Sequence, residues 1–330
     1  MKKHLFILLS LLSIFFLVSC EKEITVNLPN GEQNIVVEGY IESDTIPYVL
    51  LTYDIAYFDK LSLNQLSNLF VKDAKVWIID ETTKDSIDMM EFKIKLPSGE
   101  KDSVEASIYI PNFFSPTIVN AIGKAEHTYT LHVKSGDKKV TATTTIPKIV
   151  PIDSAYFTLV DSTTTPFLPD CYDKLQGRLY RLEGDFADPA GVNNYYRYFT
   201  SVDNGQSYQA NDNSVFSPTF FNGQQIQGIW FQLGREADDS ARCGRFVRID
   251  TLVSKDPVTG VPDTVIRDKI SLKFCSIDKA QYDFWETFGN NISGNGPFSP
   301  PISVKSNVKG GLGLWAGQAA YHIRNLQIPR

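Results

Sequence analysis

The side chains that could carry chemistry are scarce in this sequence, and their spacing argues against most reactions. Beyond the first twenty residues the histidines are His127, His132 and His322. A metal centre or an acid–base pair needs such groups on one face. Successive strand residues point to opposite faces. His127 falls on the apolar phase of its segment and His132 on the polar phase, so the two diverge. No Gly-x-Ser-x-Gly turn, His-Glu-x-x-His helix or phosphate loop is present. Gly310 to Gly317 is glycine-rich, but it fits neither a dinucleotide fingerprint nor a P-loop and reads as a tight turn beside a strand. Oxygen ligands gather between Asp185 and Asn193, where Asp185, Asp188 and Asn193 are a weak calcium candidate. Their spacing is not that of an EF-hand, and Asp-Pro-x-Gly is also an ordinary turn. No catalytic residue and no cofactor is expected, so the chain reads as a non-enzyme.

Cysteine is the other reactive type, at Cys20, Cys171, Cys243 and Cys275. Cys20 closes a run that starts at Lys2-Lys3, is apolar from Leu5 to Val18 apart from Ser10 and Ser13, and ends Leu17-Val18-Ser19-Cys20. A basic start, a short apolar centre and a small residue before the cut describe a secretory signal peptide. The run falls short of the roughly 20 apolar residues of a membrane span. With cysteine last, it resembles a bacterial lipoprotein signal. That resemblance implies cleavage before Cys20, a diacylglyceryl group on its thiol and acylation of the new amine. Several acyl chains anchor stably where one, at about 0.8 kcal/mol per buried methylene, holds marginally. Residues 1–19 are therefore expected to be signal peptide, and 20–33 a tether joined to outer-membrane lipid through Cys20. Glu21-Lys22-Glu23 is similar to the acidic signal that exports Bacteroidetes lipoproteins to the cell surface, and implies that orientation.

Losing Lys2 and Lys3 with the leader lowers the 32 basic residues to 30, against 38 acidic ones, for a net charge of −8. No basic cluster interleaves with aromatics, which argues against a nucleic-acid partner. Hydrophobic residues at 42% and aromatics at 12% are enough for packed cores rather than disorder.

The elements that must position any site are strands. Seven short candidates run from Asn34 to Thr145, with turn chemistry between them; Met90 to Leu96 alternates apolar and polar as a half-buried strand does. Seven strands suit an immunoglobulin-like β-sandwich over 34–147, although no Cys–Trp–Cys signature is present. The segment 55–71 is long and apolar for a loop and is expected to pack on a neighbour. Pro147 and Pro151 make 146–151 an extended linker. A second β-rich domain, 148–330, follows. Its strand candidates are 154–160, 178–186, 194–202, 226–233, 245–253 and 264–274. One helix is expected over 277–288, capped by Ser276 or Asp278 and ended by Gly289. Tyr195, Tyr196, Tyr198 and Phe199, then Phe220, Phe221, Trp230 and Phe231, serve either as core or as platforms for sugars or a partner.

If 245–253 and 264–274 pair around the Asp256–Pro262 loop, Cys243 falls opposite Phe274 or Cys275. Cross-strand Cβ atoms lie about 4.5–5.5 Å apart, near the ~3.5–4.5 Å of a disulfide. Cys243 and Cys275 are thus a candidate bridge; the alternative is two buried free thiols, since one bulge would shift the register.

In order along the chain come Cys20-Glu21-Lys22-Glu23-Ile24, Ile35-Val36-Val37-Glu38-Gly39-Tyr40-Ile41 and Pro47-Tyr48-Val49-Leu50-Leu51-Thr52. Tyr57-Phe58, the stretch Val71 to Val76, Asn194-Tyr195-Tyr196-Arg197, Pro297-Phe298-Ser299 and Ser306 to Gly313 follow. Together they resemble the Bacteroidetes outer-membrane lipoproteins catalogued as domain of unknown function 4249. Such proteins are typically encoded beside TonB-dependent receptors. The resemblance implies a subunit that captures a nutrient ligand or caps a receptor barrel; it supplies no catalytic residues and no substrate. An envelope hydrolase using paired carboxylates and a structural or adhesive surface protein are the other two readings.

Overall fold

The computed structural model describes residues 33–55, 66–97, 103–160, 179–210, 214–219, 222–233, 247–248, 254–255, 262–263, 269–293 and 303–326. The expected signal peptide, Cys20 with all but the last residue of the expected tether, Cys171, Cys243 and most of segment 55–71 lie outside them. Residues 34–330 form one compact unit, which is mainly β. The first strands are β1 (Ile35–Glu42), β2 (Tyr48–Tyr53), β3 (Lys75–Asp80), β4 (Ser86–Pro97), β5 (Ser103–Pro111), β6 (Thr128–Ser135) and β7 (Lys138–Thr145). After the prolines come β8 (Ser154–Leu159), β9 (Leu179–Ala187), β10 (Tyr195–Ser201), β11 (Val215–Phe216) and β12 (Gln225–Phe231). Three two-residue strands follow, β13 (Val247–Arg248), β14 (Ser254–Lys255) and β15 (Pro262–Asp263). The chain closes with β16 (Ile270–Ile277), helix α1 (Lys279–Ser293), β17 (Val308–Lys309) and β18 (Leu312–Leu326).

In the first half the strands pair in the order β1-β2-β5-β4 and β3-β6-β7, the neighbour order of a constant-type immunoglobulin sandwich. Tyr129, near the start of β6, is buried, and its hydroxyl accepts the Lys124 N–H at 3.0 Å, the bond of a tyrosine corner. Two features depart from that sandwich. The long β4 pairs with β3 through Ser86–Asp88 and with β5 through Met89–Pro97, so hydrogen bonding runs on from β5 through β4 to β3. The outer part of β4 is also less covered than its alternation predicts, with Phe92 49% exposed.

The second departure is β18. It lies parallel beside β1, from Val36↔Leu312 to Glu42↔Gln318, and joins β1 to β16 and β10 in a single twelve-stranded sheet. Where a turn was expected in the glycine tract, the chain passes from β17, paired with β7, into this central strand. Gly313 allows the passage: its φ is +102°, and a Cβ there would sit 2.0 Å from the Val37 carbonyl oxygen.

Two cores result. Ile35, Val37, Leu51, Ile78 and Leu131 cluster with Trp315 and Ala319 of β18, so the first half is completed by the end of the chain. Val150, Leu182, Phe186, Tyr196, Tyr198 and Phe274 form the other. The boundary expected at 147/148 falls between Ile146 of the first core and Val150 of the second, but the first core also draws on Trp315 and Ala319, and residues 34–330 form one compact unit.

Helix α1 starts where Asp278 accepts the Gln281 N–H at 2.8 Å, as an N-cap does. It continues past Gly289 to Ser293, an interior glycine costing roughly 1 kcal/mol, and its Phe284 and Trp285 pack on Tyr40, Leu314 and Ala316.

The hairpin expected to align Cys243 with Cys275 is described only at its tip, Ser254↔Asp263 and Lys255↔Pro262. Strand β16 is flanked on one edge by β10, with Arg197↔Cys275, and on the other by β18, with Cys275↔Ala320. Both edges of β16 are thus occupied at Cys275, and Cys243, its expected partner, lies outside the described residues. Cys275 is a fully buried free thiol, and burial pushes it up to about 12.

Candidate functional site

The period of two sorts β1 into two faces. Val37 and Ile41 enter the core, while Glu38, Tyr40 and Glu42 stand on the outer face. Pairing carries this outer face across the sheet. Tyr40 lies opposite Tyr48 and Ala316, and Glu42 opposite Gln318; further on, His322 lies opposite Lys273, which lies opposite Phe199. Arg197, opposite Cys275, shares the face. Helix α1 covers part of it, and beside the helix opens a cavity of about 530 Å³ lined by Glu38, Tyr40, Tyr48, Arg197, Lys273 and Trp285 among others.

The two cations in this cavity are treated differently. Lys273 pairs with the Glu42 carboxylate, which also accepts from the Gln318 amide and has His322 Nε2 at 3.9 Å. Gln281 donates to Gln318 at 3.1 Å and fixes that amide's orientation. Burial alone would raise the Glu42 carboxyl; the bonds from His322, Lys273 and Gln318 together hold it below its ordinary value. Arg197 has no such partner. It is only 6% exposed, and its guanidinium lies 3.6 Å from the Trp285 ring centre and 4.7 Å from that of Phe199. Its Nε is buried with no hydrogen-bond partner, and among the described residues no carboxylate pairs with it. Burial raises the Tyr40 hydroxyl, and the neighbouring Arg197 charge opposes that shift.

The residues singled out from the sequence fall elsewhere. The Asp185 carboxylate accepts from Ser154 at 2.8 Å, from the Gly228 N–H at 2.9 Å and from Tyr156 at 3.1 Å. Asp188 accepts the Tyr196 hydroxyl at 2.6 Å and the Gly223 N–H at 3.3 Å, while Asn193 is exposed. The carboxylates hold loops, and no group of three metal-ligating side chains assembles among the described residues. Of the aromatics, Tyr196, Tyr198 and Phe231 are core, whereas Tyr195 packs at a tilt against Tyr282 and Phe199 lines the cavity. Phe220 and Phe221 lie outside the described residues.

The histidines diverge as their phase predicts. His132 stacks on Trp77 with ring centres 5.0 Å apart, and His127 Nδ1 lies 2.7 Å from Asp80 Oδ2. Asp80 also accepts the Thr82 N–H at 2.9 Å and the Thr83 N–H at 3.3 Å. Burial would raise its carboxyl, but these bonds together depress it. A depressed carboxyl stabilises the fold above its unfolded value of about 3.9, and that contribution is lost as pH falls through the folded value. Asp80→Asn is expected to cost about 1–3 kcal/mol at pH 7. In denaturant melts the gap to the parent should close toward pH 3 and below; a pH-independent gap would assign Asp80 a purely steric role.

Apart from Phe199, sequence reasoning missed the cavity residues. The available signal was a charge inside an apolar strand: Arg197 within Tyr195–Phe199, and Lys273 within Ile270–Ile277. What brings them beside Tyr40 is β18, whose pairing joins the two halves.

No curated protein and no solved structure matches the chain. The family model described as Domain of unknown function (DUF4249) matches residues 21–324, from just past Cys20 to near the end of β18. With its motifs in order along that span, the protein belongs to this family of unknown function.

Proposed function

We propose that the protein is an outer-membrane lipoprotein, held by Cys20 and facing the cell surface, that captures a nutrient ligand as a non-catalytic subunit of a TonB-dependent uptake complex. The observation that carries this reading is the cavity against α1. Its volume of about 530 Å³ lies within the roughly 300–1,000 Å³ of small-molecule sites, and its walls combine the rings of Tyr40, Tyr48, Phe199, Tyr208 and Trp285 with the charged Glu38, Glu42, Arg197 and Lys273. Its ionisable groups suit holding rather than turnover. A nucleophile or general base needs an activating partner and a free lone pair. Glu42 is bonded by Lys273 and Gln318 and so has no free lone pair to act as a base. The leader ending in Cys20 supports the location, and the uptake partner is what the family resemblance implies.

The test is affinity purification of the lipidated protein from native outer membrane. A TonB-dependent barrel is expected to co-purify, and Cys20→Ala should take up no labelled fatty acid and bring down no barrel. Recovery without a barrel, or equal labelling of both forms, would reject the reading. So would robust hydrolysis of a glycan or peptide by the purified protein.

A further inference from the structure

We propose that the cavity recognises a carboxylate: Arg197 binds the anion, and the rings of Tyr40, Tyr48 and Trp285 take the flat or cyclic body that bears it. This rests on reading the cavity as the capture site. A buried charge without an ionic partner is costly even after relaxation. Stacking on Trp285 recovers only part of that cost. The same face shows how the chain neutralises a cation when only stability is at stake, since Lys273 has Glu42, Gln318 and their bonds. Arg197 has rings, the Tyr40 hydroxyl and an unpartnered Nε. An anion supplied from outside completes the site.

The remaining groups narrow the ligand. With two rings against it, the guanidinium has its in-plane N–H donors to offer, and a carboxylate meets these two at a time. Glu38 and Glu42 also line the cavity. Glu42 is neutralised by Lys273, but Glu38 is exposed and bears on Tyr40 electrostatically, so a second negative charge on the ligand would meet repulsion. A singly charged carboxylate therefore fits better than a phosphate monoester. A sugar acid and the terminal carboxylate of an aromatic peptide share this chemistry.

The test uses the mature lipidated protein in detergent, with Trp fluorescence and thermal melting as readouts. The probes are sodium glucuronate, N-acetylphenylalanine, their neutral counterparts glucose and N-acetylphenylalaninamide, and inorganic phosphate. At least one carboxylate is expected to bind ten times more tightly than its neutral counterpart and more tightly than phosphate, and the one preferred identifies the source. Arg197→Met should erase that preference while the melting temperature holds or rises, because it removes an uncompensated buried charge. If Arg197→Met does not fold, Arg197→Lys keeps the charge without the fork and should lose the preference about tenfold. Equal binding of neutral probes, binding of no carboxylate, tighter binding of phosphate, or a preference intact in the folded variant would overturn the assignment. Co-purification of a barrel with no carboxylate binding would overturn this inference alone, and carboxylate binding without a barrel would reject the uptake partner alone.

Discussion

Trp315→Ala is expected to destabilise the fold by about 3–5 kcal/mol, the range for removing a fully buried large aromatic side chain. Trp315 has no exposed surface. Its ring lies over Gly39, where a Cβ would come within 2.7 Å of Cε3, and its indole N–H donates to the Tyr129 carbonyl at 3.1 Å. Its peptide group is bracketed by Asn307, which accepts the Trp315 N–H at 3.0 Å and donates to its carbonyl at 2.7 Å. The change therefore opens a cavity in the first-half core and leaves a buried carbonyl short of a donor. Against a usual stability of about 5–15 kcal/mol, much of the margin goes. Urea melts of the parent, Trp315→Ala and Trp315→Phe should rank in that order for the alanine, with phenylalanine between. A loss below about 1 kcal/mol for the alanine would mean that β18 does not close this core.

The second large effect concerns the first half in isolation. Residues 34–147 hold seven strands, yet their core includes Trp315 and Ala319, and β1 pairs with β18 along seven residues. Without β18 the fragment exposes that edge of β1 and the hollow left by Trp315, both aggregation liabilities. Further ties run across the same seam: Gly317 N–H donates to Thr144 at 2.7 Å, and the Thr144 hydroxyl donates to Asp278 at the cap of α1. The fragment 34–147 is expected to show no cooperative melt, and added peptide 303–326 to restore one. A cooperative melt of the fragment alone would show that the first half stands without β18.

Most strand positions were legible because their local signals agree with their environment. β7 spans Lys138–Thr145 as its threonine-rich alternation predicts, and β10 splits Tyr196 and Tyr198 into the core from Arg197 and Phe199 outside it. The helix is legible in its cap and its aromatic face but not in its end, because a helix tolerates an interior glycine at a cost of roughly 1 kcal/mol. The Asp185 and Asp188 loop looked like a metal site because carboxylates that hold turns and carboxylates that hold calcium share one composition. The cavity was invisible because no two of its elements need be neighbours in sequence.

By itself the sequence determined the β class, the two hydrophobic cores, the divergent histidines, the helix cap and the family. It also carries, at Leu17 to Cys20, the expectation of a lipid anchor. These follow from period, turn chemistry and short motifs, all of which act within a few residues. Only the tertiary structure decided that the glycine tract leads into the central strand, that residues 34–330 form one unit, and that Arg197 is buried against Trp285 without a carboxylate. Those outcomes depend on which distant strands share an edge. In β18, small residues at Gly313 and Gly317 let backbones approach where any side chain would collide, and that choice is settled by burial across the whole chain.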